Sequence, residues 1–178
     1  DPEKEVNTWQ EALQGAGDIL AETISDDANY RIRIRSLTQK EGKIVTEAKD
    51  EKAASVYEMY YQYEEPVTKM AGYRVLAINR GEKEKKLKVK LSLETEKIHE
   101  LIAESVIRNE KSIFYEMLQG TIADAYKRLM APSIEREMRN MLTERAEAEA
   151  VKIFAKHTES LLMTPPVRGK KVIALDPG

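Results

Sequence analysis

Apolar residues near the start of the chain recur every three or four positions, the period of an α-helix that buries one face. Thr8-x-x-Glu11 fits a capping box, in which the two side chains satisfy free backbone N–H groups at a helix start. The apolar stripe behind it consists of Trp9, Leu13, Ala16, Leu20 and Ile24. Gly15 and Gly17 each weaken a helix, so the pattern predicts a break or a change of axis there.

Two more helices are predicted from cap and stop signals. Asp27 and the two residues before it are suitable N-caps for a helix over residues 28–39, which Gly42 ends. Residues 53–63 are predicted as another helix, with tyrosines on one side. Pro66 prevents that helix from continuing.

The strongest helical pattern lies towards the end of the chain. One stripe runs from Phe114 to Met130 and ends near Pro132. Ser133 is predicted to cap a second helix that extends to about Met163, longer than the usual globular helix. Its apolar positions include Ile134, Met138, Met141, Leu142, Val151, Phe154, Leu161 and Leu162. We therefore expect this helix to be the structural spine, with apolar contacts along its whole length.

One segment between the helices alternates strictly between apolar residues and lysines. Leu87 and Val89 belong to this pattern, which has the period of a strand with one buried face. Its predicted partner is residues 43–48, while residues 73–79 fit either a strand or a short helix closed by Gly81. The predicted fold class is mainly α: a multi-helix scaffold with a small two- or three-stranded antiparallel β ribbon and a long C-terminal helix.

The composition narrows the classes of function. The 178 residues contain 29 Lys and Arg against 31 Asp and Glu, a net charge of −2, whereas a dedicated DNA- or RNA-wrapping domain is usually basic. The absence of cysteine excludes disulfides and Cys nucleophiles, and only His99 and His157 are available for a metal site or a Ser-His-Asp triad. No apolar run approaches the length of a membrane span or a signal peptide. We expect a cytoplasmic protein with no cofactor, no metal and no membrane partner.

The two ends of the sequence indicate a piece of a larger protein. The chain begins at Asp1 rather than at a methionine, and it stops after the strand-like residues 172–175 and a turn at 176–178. A strand that has just begun predicts a domain boundary. We expect a helical domain over residues 1–168, followed by a linker and the first strand of a second, truncated domain over residues 169–178.

Several ordered motifs resemble the Tex family of bacterial transcription accessory proteins. The segments AYKRLMAPSIERE at 125–137 and LTERAE at 142–147 are similar to the helical core of that family. Three further matches are EALQGAGDILAE at 11–22, YEEP at 63–66 and LAINRGEKE at 76–84. The final ALDPG at 174–178 resembles the opening strand and turn of the family's YqgF-type, RNase H-like domain.

The resemblance implies a longer protein with an N-terminal helix-turn-helix region, an RNase H-like domain, helix-hairpin-helix modules and a C-terminal OB-fold RNA-binding domain. This chain would be the central helical scaffold that positions the RNA- or DNA-binding modules. Nucleic acid would be a partner through the longer protein, together with the transcription machinery. The modest charge of the chain agrees with that role, because a scaffold need not be the principal binder.

Asp176 is the sharpest candidate for chemistry. RNase H-like nucleases use several carboxylates to hold two metal ions, and the resemblance places Asp176 where the first of them lies. A single carboxylate cannot build that site, and the same residues also fit a plain turn. The family's version of the domain is moreover regarded as lacking nuclease activity. We expect no enzyme activity; the alternatives are part of a metal-dependent nuclease or resolvase, and a helical protein-interaction module.

The densest basic run lies at residues 80–90 and has a local net charge of +4, from one Arg and five Lys against two Glu. Its candidate nucleic-acid-binding residues are Arg80, Lys83, Lys85, Lys86, Lys88 and Lys90. A basic ribbon binds phosphates through salt-sensitive contacts, but outward lysines also keep an edge strand soluble. We favour solubility, because no aromatic residue lies between the lysines to stack on a base.

Overall fold

Helices and one small sheet make up the fold. The computed structural model describes residues 6, 8–50, 52, 54–166 and 168–176. Within these residues the helices are α1 (Trp9–Asp26), α2 (Ala28–Glu41), α3 (Gly72–Lys83), α4 (Thr95–Val106), α5 (Tyr115–Asp124) and α6 (Ala131–Leu162). The strands are β1 (Lys43–Ala48), β2 (Gln62–Pro66) and β3 (Leu87–Ser92). The shorter elements are two 3-10 turns, Glu58–Tyr60 and Val67–Lys69, and a π-helical segment, Ala125–Met130.

α1 begins with the predicted capping box. The Thr8 hydroxyl accepts a hydrogen bond from the Glu11 N–H at 3.2 Å, and the Glu11 carboxylate accepts one from the Thr8 N–H at 3.1 Å. The helix continues through Gly15 and Gly17, so the predicted break is wrong. Gly17 is buried against α5, where an added Cβ would lie 3.3 Å from the Thr121 hydroxyl. Close packing of α1 on α5 outweighs the low helix propensity of the two glycines.

α2 begins and ends as the cap signals predict. The Asp27 carboxylate accepts a hydrogen bond from the Asn29 N–H at 2.7 Å. At the other end, the Gly42 N–H donates to the Thr38 carbonyl at 2.8 Å. A Cβ at Gly42 would lie 2.4 Å from that carbonyl oxygen, so the tight passage from α2 into β1 requires glycine.

The helix predicted over residues 53–63 is wrong. Its first residue, Ala53, lies outside the described residues, and the described remainder forms a 3-10 turn that leads into β2. Tyr60 is buried in this turn, and its carbonyl accepts a 2.5 Å hydrogen bond from the Thr46 hydroxyl of β1. Pairing with β1 stabilises extended backbone here, and this long-range contact overrides the local helical pattern.

The three strands form an antiparallel sheet in the order β2-β1-β3. β1 and β3 pair as predicted, with Ile44 opposite Leu91 and Thr46 opposite Val89 on the buried face. Residues 73–79, for which the sequence allowed a strand or a helix, belong to α3. The mainly α fold with a small antiparallel ribbon and a long last helix is confirmed.

α6 continues from α5 through the π-helical segment instead of beginning at a separate cap. Ser133 does not cap the helix, because its hydroxyl donates to the Met130 carbonyl at 2.9 Å at the junction. Pro132 therefore lies inside a continuous helical run, where it cannot donate to a carbonyl of the preceding turn, and the π-helical segment lies directly before it. The predicted stop near Pro132 and the predicted cap at Ser133 are therefore wrong.

Two apolar cores are joined by α6. The first core is built mainly from α1, α2, α4, α5 and the π-helical segment, and the second from the sheet, α3 and the 3-10 turns. α6 contributes Ile134 and Met138 to the first core and Leu142 and Ala146 to the second. These four buried residues are spaced four apart, so they follow one side of a single helix.

The second half of α6 differs from the expected spine. Val151, Phe154, Leu161 and Leu162 are all exposed, and the exposed fraction of Phe154 is 73%. Among the described residues, neither core contains a buried residue of α6 beyond Ala146, so the prediction of apolar contacts along the whole helix is wrong. No helix in the described part of the chain is both long enough and apolar enough to cross a membrane.

Candidate nucleic-acid interface

The basic run folds into a tight corner between α3 and β3. The Lys85 N–H donates to the Glu82 carbonyl and the Lys86 N–H donates to the Gly81 carbonyl, each at 2.9 Å. This pair of hydrogen bonds is the Schellman motif, which ends many helices. The motif places one residue in the left-handed conformation, and here that residue is Lys85, with a φ of 60°. Glycine usually takes this position, so a lysine there raises the conformational energy of the fold.

The two acids within the basic run have partners of their own. The guanidinium of Arg139, in α6, donates one hydrogen bond to each carboxylate oxygen of Glu82. The bond from Nη1 to Oε1 is 3.0 Å long. The hydrogen bond from Arg139 to Glu82 raises the pKa of the Arg139 guanidinium above its ordinary value. The Tyr57 hydroxyl donates a hydrogen bond to the Glu84 carboxylate, and burial together with this hydrogen bond raises the pKa of Tyr57. Arg139 thus compensates the charge of Glu82, while Glu84 keeps its charge at the exposed corner.

The six candidate side chains are all exposed, but their partners differ. Lys90 pairs with Glu47 of β1 at 3.6 Å on the outer face of the sheet. Among the described residues, no ion pair engages Arg80 or the lysines Lys83, Lys85, Lys86 and Lys88. At and beside the turn from α3 to β3, these four lysines and Arg80 are therefore exposed without an ion pair, while Lys90 is paired with Glu47. Phosphate contact by this corner stays a prediction.

Polar contacts between α3 and α6 hold the corner in place. The Asn79 amide donates to the Thr143 hydroxyl at 2.8 Å and accepts a hydrogen bond from Arg139 at 3.3 Å. The Arg145 guanidinium donates to the Met70 carbonyl at 2.6 Å, just before α3 begins. These partners are 60 to 75 residues apart in sequence, so no local spacing could have identified them.

A second polar cluster joins β2 to α3. The Tyr63 hydroxyl donates to the Glu65 carboxylate, which also accepts a hydrogen bond from Arg74 at 2.6 Å. Burial and the hydrogen bond to Glu65 raise the pKa of Tyr63 to about 12. Burial alone would raise the pKa of Glu65, but the hydrogen bonds from Tyr63 and Arg74 outweigh it and lower that pKa.

The raised pKa of Tyr63 predicts a loss of stability at alkaline pH. Because the folded pKa of about 12 exceeds the ordinary value of 10, the stabilising contribution is complete below pH 10 and disappears as the pH rises through 12. Tyr63→Phe should therefore be less stable than the parent chain near neutral pH, by about 0.5–1.5 kcal/mol for one lost hydrogen bond. Urea unfolding at a series of pH values should show that this difference shrinks between pH 10 and 12. A difference in the free energy of unfolding that stays constant from pH 10 to 12 would contradict the raised pKa of Tyr63.

Asp176 is exposed near the end of the described chain, and Pro177 and Gly178 of the predicted turn lie outside it. Residues 172–176 adopt no regular secondary structure. Within the described residues, no group of three or more His, Cys, Asp or Glu side chains is arranged to hold a metal ion. The nuclease alternative therefore depends on Asp176 alone.

Comparison with known proteins places the chain in a family. A family model described as Tex central region-like matches residues 1–154, most of the helical structure described above. The chain belongs to the Tex family. The family expected from the ordered sequence motifs is thereby confirmed.

Relatives of this Tex chain occur in bacteria and in animals. YdcI of Bacillus subtilis strain 168 is 46% identical over 98% of this chain, which covers 25% of that protein. Transcriptional accessory protein Tex of Neisseria gonorrhoeae is 28% identical over 94% of the chain and 23% of its own length. The human S1 RNA-binding domain-containing protein 1 is 30% identical over 98% of the chain and 19% of its own length. The chain thus spans a quarter or less of each of these relatives.

Proposed function

We propose that this chain is the helical scaffold of a nucleic-acid-binding transcription accessory protein, in which it positions modules that bind RNA or DNA. Its relatives support this: one is named a transcriptional accessory protein and another an S1 RNA-binding domain-containing protein. The chain covers only 23% and 19% of those two proteins, so each has further polypeptide for a scaffold to hold.

The observation that carries the proposal is the path of α6 through both cores. Ile134 and Met138 anchor the helix in the first core, and Leu142 and Ala146 anchor it in the second. After these contacts the same helix continues to Leu162. A continuous helix that is packed at one end and projects at the other fixes the distance and direction of whatever packs on it, because helices are more rigid than loops.

A side-by-side titration tests the proposal. RNA is titrated with this chain and with a longer Tex-type polypeptide that contains it, at the same salt concentrations. We expect the longer polypeptide to bind at least about 100-fold more tightly, because several positioned modules bind together while the scaffold is not the principal binder. Equal affinity would identify this chain as the principal binder and would contradict the proposal.

One observation favours a second role, in which the α3–β3 corner contacts phosphates. Glycine would complete the Schellman motif at lower conformational energy than Lys85, so the property that lysine adds at this position is its charge. Solubility needs an exposed cation but not one in the left-handed conformation. Strained backbone of this kind is concentrated at functional sites. A phosphate contact from Lys85 accounts for both the charge and the strain.

Lys85→Gly should separate stability from binding. We expect the free energy of unfolding to increase by about 0.5–1 kcal/mol, since glycine avoids the roughly 1–2 kcal/mol steric cost of the left-handed conformation, while its greater freedom in the unfolded chain offsets part of that gain. In the longer polypeptide the same change should weaken binding to all RNA sequences alike. The slope of log affinity against log salt should become shallower by about one.

Two controls complete this measurement. Asparagine also adopts the left-handed conformation but carries no charge. Lys85→Asn should therefore make the slope of log affinity against log salt shallower by the same amount. Lys127→Gln removes an exposed charge from a different part of the chain and should leave the slope unchanged. A stabilised Lys85→Gly variant with an unaltered slope would assign Lys85 to solubility alone.

A further inference from the structure

A polar groove of about 420 Å³ runs between α3 and α6. We call it the α3–α6 groove; it is lined by Asn79 of α3 and by residues of the first half of α6, among them Arg139 and Thr143. Its floor is hydrogen-bonded across the two helices, since Asn79 donates to Thr143 at 2.8 Å and accepts from Arg139 at 3.3 Å. Because these contacts hold the floor in place, the groove is formed before any ligand binds.

Two donor side chains in the groove have no partner among the described residues. Arg136 and Asn140 both line it and are both exposed. They are four positions apart in α6, so they lie on the same side of the helix, about 6 Å apart along its axis. Within the described chain, neither side chain takes part in a hydrogen bond or an ion pair. Both can therefore donate to a ligand without losing an existing contact.

The groove leads to the α3–β3 corner, because α3 and α6 run antiparallel here. Asn79 contacts Thr143, and one turn later in α3 Glu82 contacts Arg139, one turn earlier in α6. The same directions lead along α3 to the lysines of the corner and along α6 to Arg136. Cations from both helices therefore lie at the same end of the groove.

The charges around this end of the groove favour an anionic ligand. They are four cations, Lys83, Lys86, Arg136 and Arg139, against two acids, Glu82 and Glu135, a formal net charge of +2. Arg139 compensates Glu82. Glu135 accepts a hydrogen bond from the Leu91 N–H at 3.2 Å, which holds its carboxylate against β3. Arg136 and the two lysines are thus the cations left for an anion to contact.

We propose that the α3–α6 groove binds the sugar–phosphate backbone of single-stranded RNA, on a path that continues to the α3–β3 corner. Arg136 contacts a phosphate, and the Asn140 amide contacts a ribose hydroxyl. This inference rests on the proposed phosphate contact of the corner and extends it to side chains of α6. Guanidinium and amide groups are common donors to the phosphates and sugars of nucleic acids.

The shape of the groove favours a single strand over a duplex. Helices that pack directly have axes about 8–10 Å apart, so the concave surface between them receives one strand rather than the convex side of a duplex. No aromatic side chain is found among the described residues that line the groove, so it offers no platform on which bases stack. We therefore expect contact with the backbone alone and binding that is independent of sequence.

Titration of a single-stranded oligouridylate with a longer Tex-type polypeptide, at several salt concentrations, tests the phosphate contact. Arg136→Gln should make the slope of log affinity against log salt shallower by about 0.7, the value for one contact to a single strand. Arg136→Lys keeps the charge and should keep the slope. Arg136→Gln combined with Lys85→Gly should give a shallower slope than either change alone, because both residues contact the same strand.

Arg33→Gln is the matched control for Arg136→Gln. Arg33 is an exposed arginine of α2 that no ion pair engages within the described chain, and it does not line the groove. Its replacement removes the same charge and should leave the slope unchanged. Both positions are exposed, so both variants should keep the melting temperature of the parent polypeptide.

Asn140→Leu tests the ribose contact. Loss of one neutral hydrogen bond should weaken binding to the oligouridylate by about two- to tenfold, with no change in the salt slope. The oligodeoxyuridylate of the same length has no 2′-hydroxyl, so its affinity should not change. Equal weakening for both oligonucleotides would contradict the ribose contact.

Four results would overturn the groove proposal. An unaltered slope in Arg136→Gln would show that no phosphate lies in the groove, and an equal change in Arg33→Gln would assign the effect to overall charge. Duplex RNA that binds as tightly as the single strand would exclude the proposed ligand. Displacement of the RNA by an oligoglutamate of equal charge would show that the groove takes acidic peptides instead. The affinity of the longer polypeptide relative to this chain is measured separately, so the scaffold function can stand when the groove proposal fails.

Discussion

Leu142→Ala should lower the free energy of unfolding by about 2–5 kcal/mol, because removal of a buried leucine side chain leaves a cavity. Leu142 is 2% exposed and lies in the second core, where α6 packs against α3. A domain is stabilised by only about 5–15 kcal/mol, so this loss should be evident in urea unfolding and in thermal melts.

Phe154→Ala provides the matched comparison on the same helix. It removes a larger side chain, yet Phe154 is exposed in this chain, so the free energy of unfolding should change by no more than about 0.5 kcal/mol. The sequence pattern alone predicted the opposite, with Phe154 in the core. A Phe154→Ala variant that is as destabilised as Leu142→Ala would show that α6 is buried along its whole length.

Gly81→Ala should destabilise the chain by about 1–3 kcal/mol through overpacking where α3 meets β3. An added Cβ would lie 2.7 Å from Cδ1 of Leu87, 3.0 Å from its Cγ and 3.1 Å from the Tyr57 ring. Leu87 is completely buried, so its side chain has no open space into which it can move. Urea unfolding measures the loss directly.

Gly15→Ala should have the opposite sign. Apart from its chain neighbours and the backbone of its own helix, no atom lies within 4 Å of the added Cβ, and alanine is more favourable than glycine inside a helix by about 0.5–1 kcal/mol. Gly15 and Gly81 both lie within helices, so helix propensity is common to the two variants and the difference between them measures packing. Stabilisation of both variants would contradict the close approach of Leu87 to Gly81.

Features encoded by neighbouring residues were predictable from the sequence. The capping box at Thr8, the stop at Gly42 and the pairing of β1 with β3 all depend on short sequence patterns, and the structure contains each of them. α4 was given no bounds in the sequence analysis, although its pattern is of the same kind. Ile98, Leu101, Ile102 and Val106 have helical spacing and pack in the first core, so this helix was predictable from neighbouring residues.

Errors arose where distant contacts decide the local structure. A helix was predicted over residues 53–63, but its described part contains a 3-10 turn and the start of β2, because β2 pairs with β1. In α1, packing on α5 stabilises a helix that its glycines weaken. In α6, apolar residues recur beyond Ala150, but no residue in that part of the helix is buried in either described core. A sequence pattern shows that a face is apolar, but it does not show which part of the protein covers it.

The candidate interface was also only partly predictable. The high density of basic residues was enough to identify residues 80–90 as a candidate interface, because lysines that are neighbours in sequence stay close together in any fold. The left-handed conformation of Lys85 and the pairing of Glu82 with Arg139 depend on the corner and on α6, which the sequence did not reveal. These two features are the basis on which we propose that Lys85 does more than keep a strand soluble.

The central claim is that α6 positions nucleic-acid-binding modules, and the dissociation constant for RNA of a modified longer polypeptide tests it most directly. Two glycines inserted between Ala150 and Val151 leave both described cores intact and interrupt the projecting helix. We predict at least about tenfold weaker binding, because flexibly linked modules lose part of their effective concentration. The same insertion after Glu110, in the exposed loop between α4 and α5, should leave the dissociation constant unchanged. Unchanged binding after the α6 insertion would show that the modules act without a rigid scaffold, and it would contradict this account.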